Sequence, residues 1–193
     1  MITLNIPEGV KIHSHVSDRE FEKLAIANSD LRLELTKDGE MIVMPPTGGE
    51  TGYRNLRIAA QLLDWTDLTQ LGLAFDSSTG FRLPNGAVRS PDVAWVSNQN
   101  WNSLTSQQKQ KFPPLCPEFV IELRSPTDNL ETLQKKMLEY LDNGSLLGWL
   151  IDPINKKVTI YRPGQDREIL DCPTNLSGEN ILPGFILDLS KIW

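Results

Sequence analysis

The chain has 193 residues, 39% hydrophobic and 23% charged, the size and make-up of one domain whose core needs no disulfide or metal staple. Its 19 Lys and Arg against 25 Asp and Glu leave a formal net charge of −6. That sign argues against a protein coating nucleic acid through a basic surface, but not against an enzyme that touches it in one local groove. Cys116 and Cys172 are the only cysteines and have no metal-type spacing, so free thiols in a reducing compartment are expected. No apolar run reaches membrane-spanning length, and Met1–Asn5 lacks the start of a signal peptide. The expectation is a single cytoplasmic domain over residues 1–193.

In chain order, His13-Ser14-His15 comes first. Alternate histidines share a strand face and can ligate zinc, but with no cysteine or carboxylate beside them they read as solvent-facing polar residues. Ser17 or Asp18 caps a helix through Phe21, Leu24 and Ala25, with Glu20 placed for a capping box. Leu31–Leu35 and Met41–Met44 alternate on either side of Asp38-Gly39, a hairpin signal. Pro45–Gly52 is a breaker-rich loop leading into a helix whose apolar stripe is read as Leu56, Ala59, Ala60 and Leu63. Phe81–Val88 carries an Asn85-Gly86 turn, and the strand after it places Asp92, Ala94 and Val96 on one face. Ser97–Lys111 reads as a surface loop with a short helix.

Phe119–Leu123 reads as a buried strand in which Glu122 shares a face with Val120. Ser125–Asp128 breaks it and offers an N-cap to a helix with Leu130, Leu133, Met137, Tyr140 and Leu141 on one stripe, stopped at Asn143-Gly144. At about 100° per residue Lys136 falls on the edge of that stripe and Lys135 nearly opposite. Trp149–Ile151 and Val158–Tyr161 form a hairpin around Asp152–Asn155. Leu182–Phe185 and Ile186–Leu189 make a last strand or cover. There is no internal repeat and no low-complexity stretch.

The chemistry gathers at Asp92, Glu122 and Lys136. A carboxylate inside an apolar strand is costly to bury unless it binds a partner or a metal. Two carboxylates on neighbouring strands, followed by a lysine on the next helix, suit hydrolysis of a phosphodiester. Mg²⁺ or Mn²⁺ held by hard oxygen ligands activates water and neutralises the leaving oxygen. The lysine assists the water and the charge of the transition state. The Leu123 carbonyl completes the metal shell in this reading. The plainer alternative makes Asp92 a turn cap, Glu122 a strand-end surface group and Lys136 a solvated cation.

Ser90-Pro91-Asp92-Val93-Ala94, Pro117 to Pro126, Lys136-Met137-Leu138-Glu139-Tyr140, Gly148 to Pro153 and Leu182-Pro183-Gly184-Phe185 occur in that order. Together they resemble the Uma-two-type restriction-endonuclease-like family, common in cyanobacteria and long described as a domain of unknown function, within the PD-(D/E)XK nuclease superfamily. The resemblance implies an α/β restriction-endonuclease-like fold: a central mixed β-sheet flanked by α-helices, with additional N- and C-terminal hairpins. It implies a Mg²⁺- or Mn²⁺-dependent endonuclease acting on DNA, with Asp92 and Glu122 as the two acids.

The usual Glu-x-Lys becomes Glu122-Leu123-Arg124 here, and arginine is a poor proton acceptor. The lysine therefore looks displaced to Lys136, four positions before Tyr140, and Arg124 is expected to contact phosphate or serve structure. Glu34, Glu50 and Tyr140 are accessory candidates. A symmetric homodimer would cut both strands of a duplex. The competing reading is a non-catalytic nuclease-fold module that binds nucleic acid or protein.

Overall fold

The protein is described by a computed structural model covering residues 15–193. The His13–His15 alternation falls partly outside them. Helix α1 (Asp18–Ala27) starts at Ser17, whose Oγ accepts the Glu20 N–H while Glu20 accepts the Ser17 N–H at 3.0 Å, a complete capping box. Strands β1 (Arg32–Leu35) and β2 (Met41–Met44) pair antiparallel with Arg32 opposite Met44. Gly39 supplies the positive φ of +81° that their turn needs.

Helix α2 (Gly49–Thr69) follows, then β3 (Gly72–Asp76), β4 (Phe81–Arg82), β5 (Val88–Arg89) and β6 (Val93–Ser97). The short helices α3 (Asn98–Ser103) and α4 (Ser106–Lys109) lead to β7 (Phe119–Leu123), α5 (Leu130–Asp142) and β8 (Leu147–Asp152). The chain ends with β9 (Lys157–Tyr161), β10 (Glu168–Asp171), β11 (Asn175–Ser177) and β12 (Ile186–Asp188).

A six-stranded sheet runs β10-β9-β8-β7-β6-β3. Among the described residues only β7 and β8 pair in parallel, and α5 is the crossover between them, as parallel neighbours require. A second sheet runs β2-β1-β5-β4, and β11 pairs with β12. The fold is thus mixed α/β with a central mixed sheet, flanking helices and accessory sheets, as expected.

Strand alternation decides the layers. Phe119, Ile121 and Leu123 of β7 point to the side covered by Ile58, Leu62 and Trp65 of α2 and by Leu182, Phe185, Leu187 and Ile192 of the tail. Val120 of β7 and Leu150 of β8 point to the other side, against Met137 and Tyr140 of α5. A third cluster joins Phe21 and Leu24 of α1 to Leu33, Leu35 and Val88 of the second sheet.

Four expectations need correction. The stripe Leu56, Ala59, Ala60 and Leu63 is not the buried face of α2: Leu56 is 70% exposed and Leu63 49%, while Ile58, Leu62 and Trp65 are buried. Both sets satisfy helical spacing, and the two large groups Trp65 and Leu62 decide which side meets the sheet. Gly49–Gly52 belong to the first turn of α2 rather than to the preceding loop. The strand expected to run through Asp92 breaks at Ser90-Pro91: β5 joins the second sheet and β6 the first, so Asp92 lies between them. The N-cap of α5 is Asn129, whose side chain accepts the Thr132 N–H at 3.0 Å. The edge strands β3 and β10 and the short β11, all weakly patterned, had no counterpart in the sequence reading.

Candidate active site

β6 and β7 pair antiparallel with Val93 opposite Ile121, so continuing the ladder by one residue brings Asp92 opposite Glu122. Asp92 lies where the chain leaves one sheet for the other, and its Oδ2 accepts the Leu123 N–H at 2.9 Å. Glu122 projects from the face of β7 that α5 covers and is 3% exposed. Glu122 is thus not the strand-end surface group of the plainer reading, whereas Asp92 does accept a backbone N–H.

Lys136 reaches down from α5 to this pair. Its Nζ stands 2.8 Å from Oε1 of Glu122, 2.8 Å from Oε1 of Glu34 and 3.4 Å from the Ser90 carbonyl. One turn further along, the Tyr140 hydroxyl donates to the same Glu122 Oε1 at 3.0 Å. Lys135, on the opposite side of the helix, pairs with exposed Glu131.

Glu34 comes from β1 of the second sheet. Arg89 holds it at 3.1 Å and also holds Glu139 at 2.6 Å, and the Ser90 N–H donates to it at 2.9 Å. The network ties the second sheet to α5 through buried charge.

These charges are unevenly compensated. Burial raises Glu122, and repulsion from Asp92 and Glu34 adds to it against the Lys136 cation, leaving its carboxyl at about 7. Burial likewise raises Asp92 despite the Leu123 N–H and the Lys136 charge. Glu34 goes the other way: burial alone would raise it, but Lys136 and Arg89 outweigh burial and hold it below its usual value. Lys136 is raised, because Glu122 and Glu34 outweigh its own burial. The two carboxylates, each 2.8 Å from its Nζ, favour its ammonium form.

Asp92, Glu122, Leu123 and Lys136 line a cleft of ≈ 610 Å³ with the Pro45–Thr51 segment and the Ser125–Asp128 turn. Among the described residues no three His, Cys, Asp or Glu side chains are gathered as a metal-ligand set. Mg²⁺ does not require one, since it keeps several waters and binds through one or two carboxylates. Two observations fit such an ion here. Asp92 and Glu122 are both raised by burial with too little positive charge beside them. The contacts of Lys136 and Tyr140 with Glu122 both fall on Oε1, and Glu122 lines the cleft.

The other candidates lie differently. Arg124 does not line the cleft: it pairs with Asp152 at 2.8 Å, tying the end of β7 to the β8–β9 turn. Glu50 stands at the cleft rim in the first turn of α2, exposed and paired with Arg54 at 3.1 Å.

The sequence reading missed Arg32, Asn55, Arg89 and Glu139. Asn55 Nδ2 lies 3.4 Å from Asp92 Oδ1, and Arg32 Nη2 lies 3.9 Å from the same oxygen. Arg32 had a usable signal, since it sits two residues before Glu34 and so shares its strand face. Asn55 and Glu139 had none, because their helix faces meet the site only through the tertiary fold.

The family model Uma2, described as "Putative restriction endonuclease", matches residues 18–190. Among solved structures the chain is similar to a putative nuclease belonging to DUF820 from Anabaena variabilis. The TM-score is 0.70 at 23% identity, over 85% of this chain and 89% of that one, a likeness of fold. No curated protein matches. Among the described residues no helix is long and apolar enough to cross a membrane.

Proposed function

The chain belongs to the Uma2 family, and from that premise we propose that it is a Mg²⁺- or Mn²⁺-dependent endonuclease that hydrolyses phosphodiester bonds of DNA. The observation that carries the reading is the meeting of Asp92 and Glu122 across neighbouring strands, at the floor of an open cleft, with Lys136 2.8 Å from Glu122. The carboxylates of Asp92 and Glu122 and the carbonyl of Leu123 would hold the ion. When bound, the ion would supply positive charge and Lewis acidity at the phosphate.

The chain's own groups do the positioning. Tyr140 and Lys136 both grip Glu122 Oε1, which anchors that oxygen. The Leu123 N–H and Asn55 Nδ2 hold the two oxygens of Asp92, one each. Lys136, protonated between two acids, does not take the proton of the attacking water. It sets a permanent positive charge beside the reacting phosphate, where such charge favours the transition state. We further propose a symmetric homodimer, so that two sites cut both strands, and a cytoplasmic location, in keeping with the unpaired Cys116 and Cys172.

The test is incubation of the purified protein with supercoiled plasmid, RNA and nucleotides in Mg²⁺, Mn²⁺ or chelator. Metal-dependent nicking of the plasmid, abolished in Asp92→Asn, is the expected result. Hydrolysis only of nucleotides would redirect the substrate. Inertness toward all of them, with DNA still bound by the Asp92→Asn variant, would make this a binding module.

A further inference from the structure

We infer that Arg32 is the residue that grips the scissile phosphodiester, through its guanidinium on a non-bridging phosphate oxygen. The inference rests on the phosphodiesterase reading above and assigns the anion-binding half of that site.

Among the described residues, Arg32 and Lys136 are the only cationic ones lining the cleft. An ammonium has three protons to donate, and those of Lys136 meet Glu34, Glu122 and the Ser90 carbonyl. Lys136 can lend charge to a phosphate but has no donor left for one. Arg32 is in the opposite state. Its nearest anionic partner is Asp92 Oδ1 at 3.9 Å, beyond hydrogen-bond range, and its Nε is buried without an acceptor. A buried donor left unsatisfied is unfavourable, and the fork of a guanidinium matches two phosphate oxygens.

The placement agrees with the role. On β1 the side chains of Leu33 and Leu35 go into the α1 core, which turns Arg32 and Glu34 to the other face. Glu34 meets Lys136, and Arg32 stands beside Asp92. Arg32 is opposite Met44 at the open end of the hairpin, next to the Pro45–Thr51 wall of the cleft. Asn55, the other residue on Asp92 Oδ1, likewise has a buried Oδ1 with no donor. The wall around Asp92 thus holds an unpaired donor and an unpaired acceptor, and the Arg32 side chain that carries the donor is 31% exposed.

The alternative is that Arg32 only positions Asp92, and metal affinity separates the two. Mn²⁺ binding is measured by calorimetry, and binding of a labelled DNA duplex by fluorescence anisotropy in Ca²⁺, for the wild type, Arg32→Gln, Arg32→Lys and Asp92→Asn. Arg32→Gln is expected to bind Mn²⁺ within about twofold of wild type, since it leaves both carboxylates in place. Its Ca²⁺-dependent DNA affinity should fall on the order of tenfold or more, with a salt slope shallower by about one. Arg32→Lys, which keeps the charge but lacks the fork, should recover only part of the loss, and it carries the test if Arg32→Gln does not fold.

Two results would overturn the assignment: DNA binding of both Arg32 variants equal to wild type while Asp92→Asn loses the Ca²⁺ enhancement, or loss of Mn²⁺ affinity in Arg32→Gln matching its loss of DNA. In either case the metal site would stand without Arg32 as the phosphate ligand. Absence of DNA binding by the wild type itself would remove the nuclease reading and this assignment with it.

Discussion

Lys136 Nζ stands 2.8 Å from Glu122 Oε1, a contact between a crossover helix and the strand it has just left. Because β7 and β8 are parallel neighbours, a crossover must join them, and α5 runs across the sheet face that carries Val120 and Glu122, which brings the lysine on its inner edge to the acid. The same contact explains how a glutamate and a lysine can share a buried position: each charge offsets the desolvation cost of the other, with Glu34 as a second acceptor for Lys136 and Tyr140 as a second donor to Glu122 Oε1.

The two cleft acids should be jointly required for the ion. Calorimetric titration with Mn²⁺ is expected to show one site in the wild type and none in Asp92→Asn or Glu122→Gln. Undiminished binding in both variants would remove the site from consideration.

Stability should fall as pH rises toward neutrality. With the folded Glu122 at about 7 against an ordinary 4.5, the folded state keeps a proton that the unfolded chain releases. Its stabilising effect is complete below about pH 4.5 and lost as pH passes 7. Asp92, also raised, acts in the same sense, while Glu34, lowered, loses its contribution only in acid. Thermal melts from pH 5 to 8 should show a declining midpoint in the wild type and a flatter profile in Glu122→Gln. Mn²⁺ affinity should rise across the same interval, since the ion must displace that proton.

Replacing Lys136 should cost the fold as well as the reaction. Lys136→Ala leaves Glu34 and Glu122, 3% and 4% exposed at their side chains, without their shared cation. A loss of about 3–5 kcal/mol is expected when one partner of such a buried network is removed. Chemical denaturation at pH 8 should show it, and adding Glu34→Gln should restore part of it. Cleavage should fall on the order of a hundredfold even in the restored variant.

Arg124 should behave as a clamp. A double-mutant cycle of Arg124→Ala and Asp152→Ala is expected to give a coupling of about 1–3 kcal/mol in stability, with Mn²⁺ affinity unchanged. A loss of cleavage in Arg124→Ala at full stability would return it to the phosphate.

The orientation of α2 is open to a direct check. Leu62→Ala, at a position with 0% exposure, should destabilise by about 2–5 kcal/mol. Leu56→Gln, on the opposite side, should stay within about 0.5 kcal/mol of wild type. Equal losses would mean that Leu56 is covered in solution.

Local pattern alone determined a good deal here. The alternation around Asp38-Gly39, the apolar run Phe119–Leu123 interrupted by Glu122, and the stripe Leu130–Leu141 with Lys136 on its edge each depend on neighbours within one or two turns. Such short-range periodicity survives in the sequence. The fold decided what depends on which elements meet. Helix α2 carries two apolar faces, and only packing against the sheet chose Ile58, Leu62 and Trp65 over Leu56 and Leu63. Arg124, adjacent in sequence to the expected motif, was drawn off by Asp152 across the β7–β8 pair. Arg32, distant in sequence, was brought beside Asp92 because the chain passes at Ser90-Pro91 from β5, the neighbour of β1 in the second sheet, to β6 of the first. Whether a charge is spent or spare is set by the partners within hydrogen-bond reach, and those partners are assembled from both sheets and α5.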